Sequence, residues 1–438
     1  MASGENSRIW YGGTRAHEPR RYHLRLVHDL VVIGAGAAGV FAAIQAAENA
    51  SPPLRALLLE AGRRPLRKVR ISGGGRCNVT HAEFDPRRLV THYPRGAREL
   101  RGPFSKFAPG DAMAWFEERG VPLKIEADGR VFPVSDDSAS VIGALTAACD
   151  RLGVEWATRS AVSGLDRDDA TDAWEVSLRG GGRLTAKRVL LATGSAPAGY
   201  RLAAALGIAL VDPAPSLFSF NVPEPRLHAL SGLSVPDAEV SFDELPYRTR
   251  GPLLATHWGL SGPAVLRASA EAAVDLHARD YEAGFRVSWT GATRDDVVDY
   301  LAHGRRRAGR RTLGFDVGLS LPRRLWHYLV ERAGCALAGR WADLNASQLA
   351  RLADVLTADR YRMRGQTRFK EEFVTAGGID LRELDFRTFA IKRHRGLYAA
   401  GELLDIDGVT GGFNFQAAWT GGFLAGRAIA ASLAEPGR

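Results

Sequence analysis

Cys77 stands at the end of an unusual string, Lys68-Val69-Arg70-Ile71-Ser72-Gly73-Gly74-Gly75-Arg76-Cys77-Asn78. Three consecutive glycines let backbone lie against a flat ligand or a phosphate. Lys68 and Arg76 bring positive charge, and Cys77 and Asn78 offer a proton donor and a hydrogen-bonding amide. A lone cysteine is by default a small packed side chain; beside a redox ligand, and among Arg70 and Arg76, its thiol is open to tuning. A second set is Thr256-His257-Trp258-Gly259-Leu260-Ser261-Gly262-Pro263. A histidine next to an aromatic in such a loop either lines a pocket or sits in a structural turn. Arg130 and Ser135 are weaker pocket candidates, since an exposed arginine is normally just solvated.

The string Gly34-Ala35-Gly36-Ala37-Ala38-Gly39 follows a buried-strand pattern, Asp29–Ile33, and opens a helical pattern over Ala37–Asn49. Gly34 permits the tight turn, Gly36 lets backbone approach a pyrophosphate, and Gly39 lets helix and strand pack closely. The helix start presents free N–H groups to phosphate. Arg55–Glu60 reads as the next strand, ending in an acid placed to bond a ribose hydroxyl. Two later strings favour FAD over NAD. Ala192-Thr193-Gly194 ends a late buried strand, and Gly401-Glu402-Leu403-Leu404-Asp405 precedes Gly411-Gly412-Phe413-Asn414-Phe415-Gln416 and a long helix. In two-part FAD domains the returning strand brings a Gly-acid turn to the ribityl chain, and the last helix aims its positive end at the flavin N1/O2 edge. No second G-x-G-x-x-G occurs, so NAD(P)H is expected as a transient electron donor.

The 438 residues exceed one compact core and predict two or three domains. The three cysteines, Cys77, Cys149 and Cys335, are far apart. That spacing suggests neither a disulfide framework nor a thiolate metal site, and fits a reducing cytoplasm. H-E-x-x-H and G-x-S-x-G are absent, which argues against a zincin and a nucleophile-elbow hydrolase. The apolar run 30–47 has the length of a membrane span. Its glycine fingerprint and the strand that follows assign it to a strand-turn-helix buried on both faces, so no membrane segment is expected. The formal net charge is +9, supplied mostly by arginine. It reads either as a solvated surface or as the footprint of a phosphate-bearing partner. The cluster Arg305, Arg306, Arg307, Arg310 and Arg311 poses the same alternative.

The elements that position these residues follow an α/β plan with an insertion. Helices are predicted at Asp111–Arg119 and Ser138–Leu152. Three short alternating runs, Ala161–Asp166, Trp174–Leu178 and Gly182–Ala186, suggest an antiparallel meander, and Arg188–Ala192 a buried strand. Gly62–His81 reads as a loop. The predicted organisation is a disordered basic tail at 1–28, a first part of a Rossmann-like FAD domain at 29–211, an inserted β-rich substrate domain at 212–374 with a helical subdomain over about 291–360, and the second part at 375–438. Within the helical subdomain, helices are expected at Val297–Arg311, Pro322–Arg332 and Ser347–Leu356. Such an order puts a ligand between domains, at the carboxyl ends of the strands.

Taken together, GAGAAG, ISGGGRCN, ATG, THWGLSGP, VTAGGID and GELLDIDGVTGGFNFQ resemble the BaiN/RdsA-like family of bacterial flavoproteins, from Asp29 to Ala430. The resemblance implies a two-dinucleotide-binding-type FAD domain carrying a β-rich insert with a helical subdomain. It implies flavin contacts at Gly34, Gly36, Ala38, Gly39, Glu60, Lys68, Gly74, Gly75, Arg76, Cys77, Val162, Thr193, Gly194, Gly401, Glu402, Asp405, Gly412, Phe413, Asn414 and Gln416. It further implies reduction of activated C=C bonds, in steroid-type enones or in a uracil ring of ribosomal RNA. The expected chemistry is hydride delivery to the β-carbon of a conjugated carbonyl and protonation of the α-carbon by a side-chain acid. Cys77 is the first candidate for that acid and His257 the second. The expected partner is a small conjugated carbonyl compound or rRNA, with no metal. The alternatives are a flavin enzyme working in the oxidative direction and an RNA- or ribosome-associated protein with structural FAD.

Overall fold

The computed structural model describes residues 27–316, 318–319, 321–365 and 374–434. Residues 1–26 of the expected tail lie outside them, and its last two belong to the first strand. That strand, β1 (Val27–Ile33), leads through Gly34-Ala35-Gly36 into helix α1 (Ala37–Asn49) and strand β2 (Ala56–Leu59). Both strands are almost wholly buried because the sheet is covered on two faces, which is why the run 30–47 is apolar throughout. No helix among the described residues is long and apolar enough to cross a membrane.

The main sheet has nine strands. Its centre is parallel: Leu397–Ala399, Arg183–Leu191, β1, β2 and Glu155–Ala157 lie side by side in that order. The antiparallel pair Val162–Asp168 and Ala173–Leu178 attaches to Arg183–Leu191. The closing helix Phe413–Ala434 returns from the chain's end to pack on α1. Glycines make that approach possible: a Cβ at Gly422 would stand 2.8 Å from the Ala38 carbonyl oxygen, and one at Gly426 2.5 Å from that of Ala42. Sequence neighbours 34–49 and 411–426, far apart along the chain, are thereby locked backbone to backbone.

Between these halves the chain builds a second core. A six-stranded antiparallel sheet runs in the order Phe220–Asn221, Gly259–Ser261, Arg248–Thr256, Ser234–Phe242, Glu282–Ser288 and Asp359–Arg364. Helices Pro263–Glu271, Arg294–Arg307, Arg323–Arg332 and Ala346–Ala358 accompany it. Strands Leu210–Ser216 and Val374–Ile379 pair antiparallel where the chain leaves and re-enters the first core.

Three elements differ from expectation. The third meander run and the buried strand after it are one strand, Arg183–Leu191, whose first half pairs antiparallel with Ala173–Leu178 and whose length also runs parallel to β1. The stretch 62–81 contains a short helix, Arg67–Ile71, hidden from periodicity by its single turn. The arginine helix stops at Arg307, and Arg310 and Arg311 fall in the following turn, where Gly309 weakens helix continuation.

Candidate active site

The glycine fingerprint forms the floor of the site. Gly34 adopts φ +108°, and a Cβ there would lie 2.3 Å from the Ala192 carbonyl oxygen. A Cβ at Gly39 would lie 2.1 Å from the Gly34 oxygen, so both are fixed by packing. Gly36 differs: it caps α1 with no side-chain hydrogen bond, and a Cβ there would meet nothing within 4 Å. The space beside Gly36 at the start of α1 is open, which fits a pyrophosphate. Glu60 closes β2 by accepting from Gly62 N at 2.7 Å and Ala35 N at 3.3 Å. Ser160 N donates to the Glu60 carbonyl at 2.8 Å, and Val162, buried, begins its strand two residues on.

The second and third strings converge here. A Cβ at Gly401 would touch the Ala38 Cβ at 2.8 Å, so the returning turn lies on the first turn of α1. Glu402 takes the Lys68 ammonium in an ion pair, and its other oxygen accepts from Thr375 N at 3.1 Å. Lys68 also reaches Ser195 Oγ at 3.3 Å, beside Thr193 and Gly194. Asp405 accepts from Gly377 N at 2.8 Å, while burial raises its carboxyl above the usual range. Gly74 and Gly75 have positive φ, and a Cβ on either would meet nothing within 4 Å. These unobstructed backbones, together with Gly36, fit FAD: Gly36 and α1 would hold its pyrophosphate, Glu60 its ribose, and Lys68 with the 401–402 turn the centre of the molecule.

Several side chains expected at the flavin also have partners within the protein. Cys77 is fully buried, its N–H donates to the Ser72 carbonyl at 3.0 Å, and burial pushes its thiol up to about 12. It is a packed, protonated side chain, which weighs against the expected role of proton donor. Arg76 pairs with Glu126 at 2.7 Å and covers the Phe132 ring at 3.9 Å. Gln416 is buried too: Thr80 Oγ1 donates to its Oε1 at 2.6 Å, and its Nε2 donates to Thr420 Oγ1 at 3.1 Å. Asn414 clamps Gly408 through both N–H and C=O, each at 2.8 Å. His257 is exposed on the turn joining Arg248–Thr256 to Gly259–Ser261, edge-on to Trp258 with ring centres 4.2 Å apart. No hydrogen bond, ion pair or ring contact joins it to the glycine loops.

Two histidines that the sequence did not single out lie at the head of the closing helix. Phe413, its first residue, stacks on His92 with ring centres 4.2 Å apart and on His81 at 4.5 Å. His81 Nδ1 donates to the Gly411 carbonyl at 3.1 Å, which fixes its tautomer, because a carbonyl only accepts. Neither ring nitrogen of the half-buried His92 hydrogen-bonds a described residue. Burial, then His81 and Arg267, lower its pKa against the opposing pull of Glu83, so it is neutral near pH 7. Arg95 and Asp407 form a buried ion pair next to this group, and Arg95 also donates to the Ala270 carbonyl at 2.8 Å, joining the two cores. Lone histidines in a stretch without a motif carry no sequence signal. Among the described residues no group of His, Cys, Asp and Glu could hold a metal.

A parallel Rossmann sheet with a two-part flavin cradle and an inserted sheet defines the flavoprotein oxidoreductase class. The sequence profile of the HI0933-like protein Rossmann domain matches residues 28–428. The chain belongs to that family, and it is an FAD-dependent oxidoreductase. It is 29% identical to a ribosomal RNA dihydrouridine synthase of Escherichia coli, over 90% of this chain and 95% of that one. It is 28% identical to a 3-dehydro-bile acid delta(4,6)-reductase of Clostridium scindens, over 91% and 98%. The fold is shared with a 3-ketosteroid-delta4-(5alpha)-dehydrogenase of Rhodococcus jostii, with a TM-score of 0.50 and 16% identity over 95% of this chain and 99% of that one.

Proposed function

We propose that this protein reduces a carbon–carbon double bond conjugated to a carbonyl, and that the bond belongs to a uracil ring of ribosomal RNA. The observation that carries the chemistry is His92, a neutral histidine with free ring nitrogens at the positive end of the closing helix. When reduced, FAD supplies the hydride that such a double bond accepts at its β-carbon. His92 would donate its N–H to the carbonyl oxygen, where negative charge collects as the β-carbon takes the hydride, and the α-carbon would then take its proton from solvent water. A neutral imidazole does this without being desolvated as an ion, and the helix start adds partial positive charge to the same place. Arg95 ties the insert to the segment that follows His92. NAD(P)H reaches the site transiently, since the described chain carries one dinucleotide fingerprint.

The rRNA assignment draws on similarity to the dihydrouridine synthase and on the net charge of +9. The bile acid reductase supports a second reading, a small enone. Dihydrouridine mapping in rRNA decides between them. A deletion strain should lack one dihydrouridine, the wild-type gene should restore it, and His92→Gln should restore little while the purified variant keeps its FAD. Unchanged rRNA in the deletion strain, with turnover of a small enone, would establish the second reading.

A further inference from the structure

The helix Arg294–Arg307 ends in Arg305, Arg306 and Arg307, and the next turn adds Arg310 and Arg311. All five are exposed, and none of their side chains bonds or pairs with another described residue. Neighbouring arginines behave differently: Arg294 pairs with Asp354 at 2.7 Å and Arg340 with Asp343 at 2.9 Å. The helix dipole favours cations in its last turn. That accounts for Arg305–Arg307 but not for Arg310 and Arg311 beyond it. A cleft of about 360 Å³ adjoins them, lined by Ala302, Arg305, Arg306, Ala342 and Leu349.

An aromatic stands in the same loop. Phe315 is 59% exposed, more than any other exposed large apolar side chain among the described residues. Its backbone is held firmly: Phe315 N donates to the Thr312 carbonyl at 3.2 Å, Trp341 N to that of Arg311 at 3.0 Å, and Trp341 Nε1 to that of Phe315 at 3.3 Å. Trp341 is itself buried and stacked on Trp326 with ring centres 5.9 Å apart. A phenyl ring in water, in the same loop as the unpaired guanidinium groups of Arg310 and Arg311, has the two features that hold unpaired nucleotides: a stacking platform and phosphate ligands. A duplex offers phosphates but keeps its base faces closed. An acidic protein would pair with the arginines without offering the run of open planar bases that a single strand lays beside its phosphates.

We propose that Arg305–Arg311 and Phe315 form a docking site for single-stranded RNA on the insert, with Phe315 stacked on a base and the arginines on phosphates. The proposal rests on the reading of ribosomal RNA as the substrate. It is tested by fluorescence anisotropy of the FAD-loaded full chain with a short fluorescein-labelled single-stranded RNA and with the same sequence as a duplex. Phe315→Ala should weaken single-strand binding about tenfold and spare the duplex, and Phe315→Trp should restore it. Combined Arg306→Ala, Arg307→Ala and Arg310→Ala should weaken both, and flatten the single-strand salt dependence by about 0.7 log units per decade for each phosphate lost. Flavin content should be the same in all variants. Absent binding at low salt, or variants that bind like wild type, overturns the site; equal weakening of both RNAs by Phe315→Ala overturns the stacking. Dihydrouridine analysis of a complemented deletion strain separates the two ideas. Failure of the wild-type gene to restore the base refutes the substrate reading alone, and full restoration by the arginine and Phe315 variants refutes the docking site alone.

Discussion

Arg95 grips Asp407 with two nitrogens, Nε to Oδ1 at 2.5 Å and Nη2 to Oδ2, while Ser216 Oγ donates to the same carboxylate at 2.8 Å. Asp407 is 0% exposed and Arg95 15%. Asp407 belongs to the returning half of the flavin domain, Ser216 to the strand that leads into the insert, and Arg95 to the segment between His92 and the helix Ala97–Phe104. One buried ion pair therefore ties three chain segments together. Removing one partner of such a pair costs about 3–5 kcal/mol, because the other charge stays buried alone. Arg95→Ala should lower the thermal midpoint well beyond Arg95→Lys, which keeps the charge. Calorimetry of the FAD-loaded protein reads the difference, and equal midpoints would remove the pair from the account of stability.

The glycines of the fingerprint should separate into two kinds. Gly36→Val meets open space in the protein, so it should leave the apoprotein folded and colourless, having lost FAD. Gly34→Ala and Gly39→Ala drive a Cβ into backbone oxygen at 2.3 Å and 2.1 Å and should reduce soluble yield as well. Circular dichroism and released FAD measure the two properties independently. A yellow Gly36→Val protein would move the pyrophosphate elsewhere.

Cys77 should be chemically silent. With its thiol raised to about 12 by burial, it is protonated through the working pH range. Iodoacetamide at pH 8 should label it only after denaturation, and Cys77→Ala should keep turnover within a few-fold, whereas loss of a general acid costs about 10²–10⁴-fold. A hundredfold loss with FAD retained would return the thiol to the chemistry.

Acid should destabilise the fold through two histidines. Burial first, then Arg55 beside His28 and His81 and Arg267 beside His92, hold both histidines below the usual value of about 6.5. The unfolded chain then binds protons that the folded chain refuses. Their contribution to stability is complete above about 6.5 and is lost as pH falls through the lowered folded values. His28→Val, which removes a buried ring with an unpartnered Nδ1, should flatten the fall of the thermal midpoint below neutral pH. An unchanged acid limb would exclude His28 as a cause.

Flavin reduction by NAD(P)H should follow its concentration with weak saturation, because the described chain offers no second nucleotide fold. Stopped-flow absorbance at the flavin band reads it. Saturation at micromolar NADPH or below would reveal a dedicated site.

The sequence by itself determined the dinucleotide floor. Gly34, Gly36, Gly39 and Glu60 lie within one strand-turn-helix-strand unit, so their places follow from local geometry that a few adjacent residues specify. It suggested that the Gly401–Glu402 and Gly411–Gly412 turns belong with them, a pattern common to many folds, and the structure lays Gly401 on the first turn of α1. The tertiary structure decided what the intervening side chains do. Whether Cys77, Arg76 and Gln416 face a ligand or a neighbour depends on Ser72, Glu126 and Thr80, and most of those partners are set by packing of segments distant in sequence. His92 gains its place only because the closing helix, some three hundred residues later, lays Phe413 against its ring at 4.2 Å. Hydrophobic periodicity reports which face of an element is buried; it holds no record of which distant element buries it.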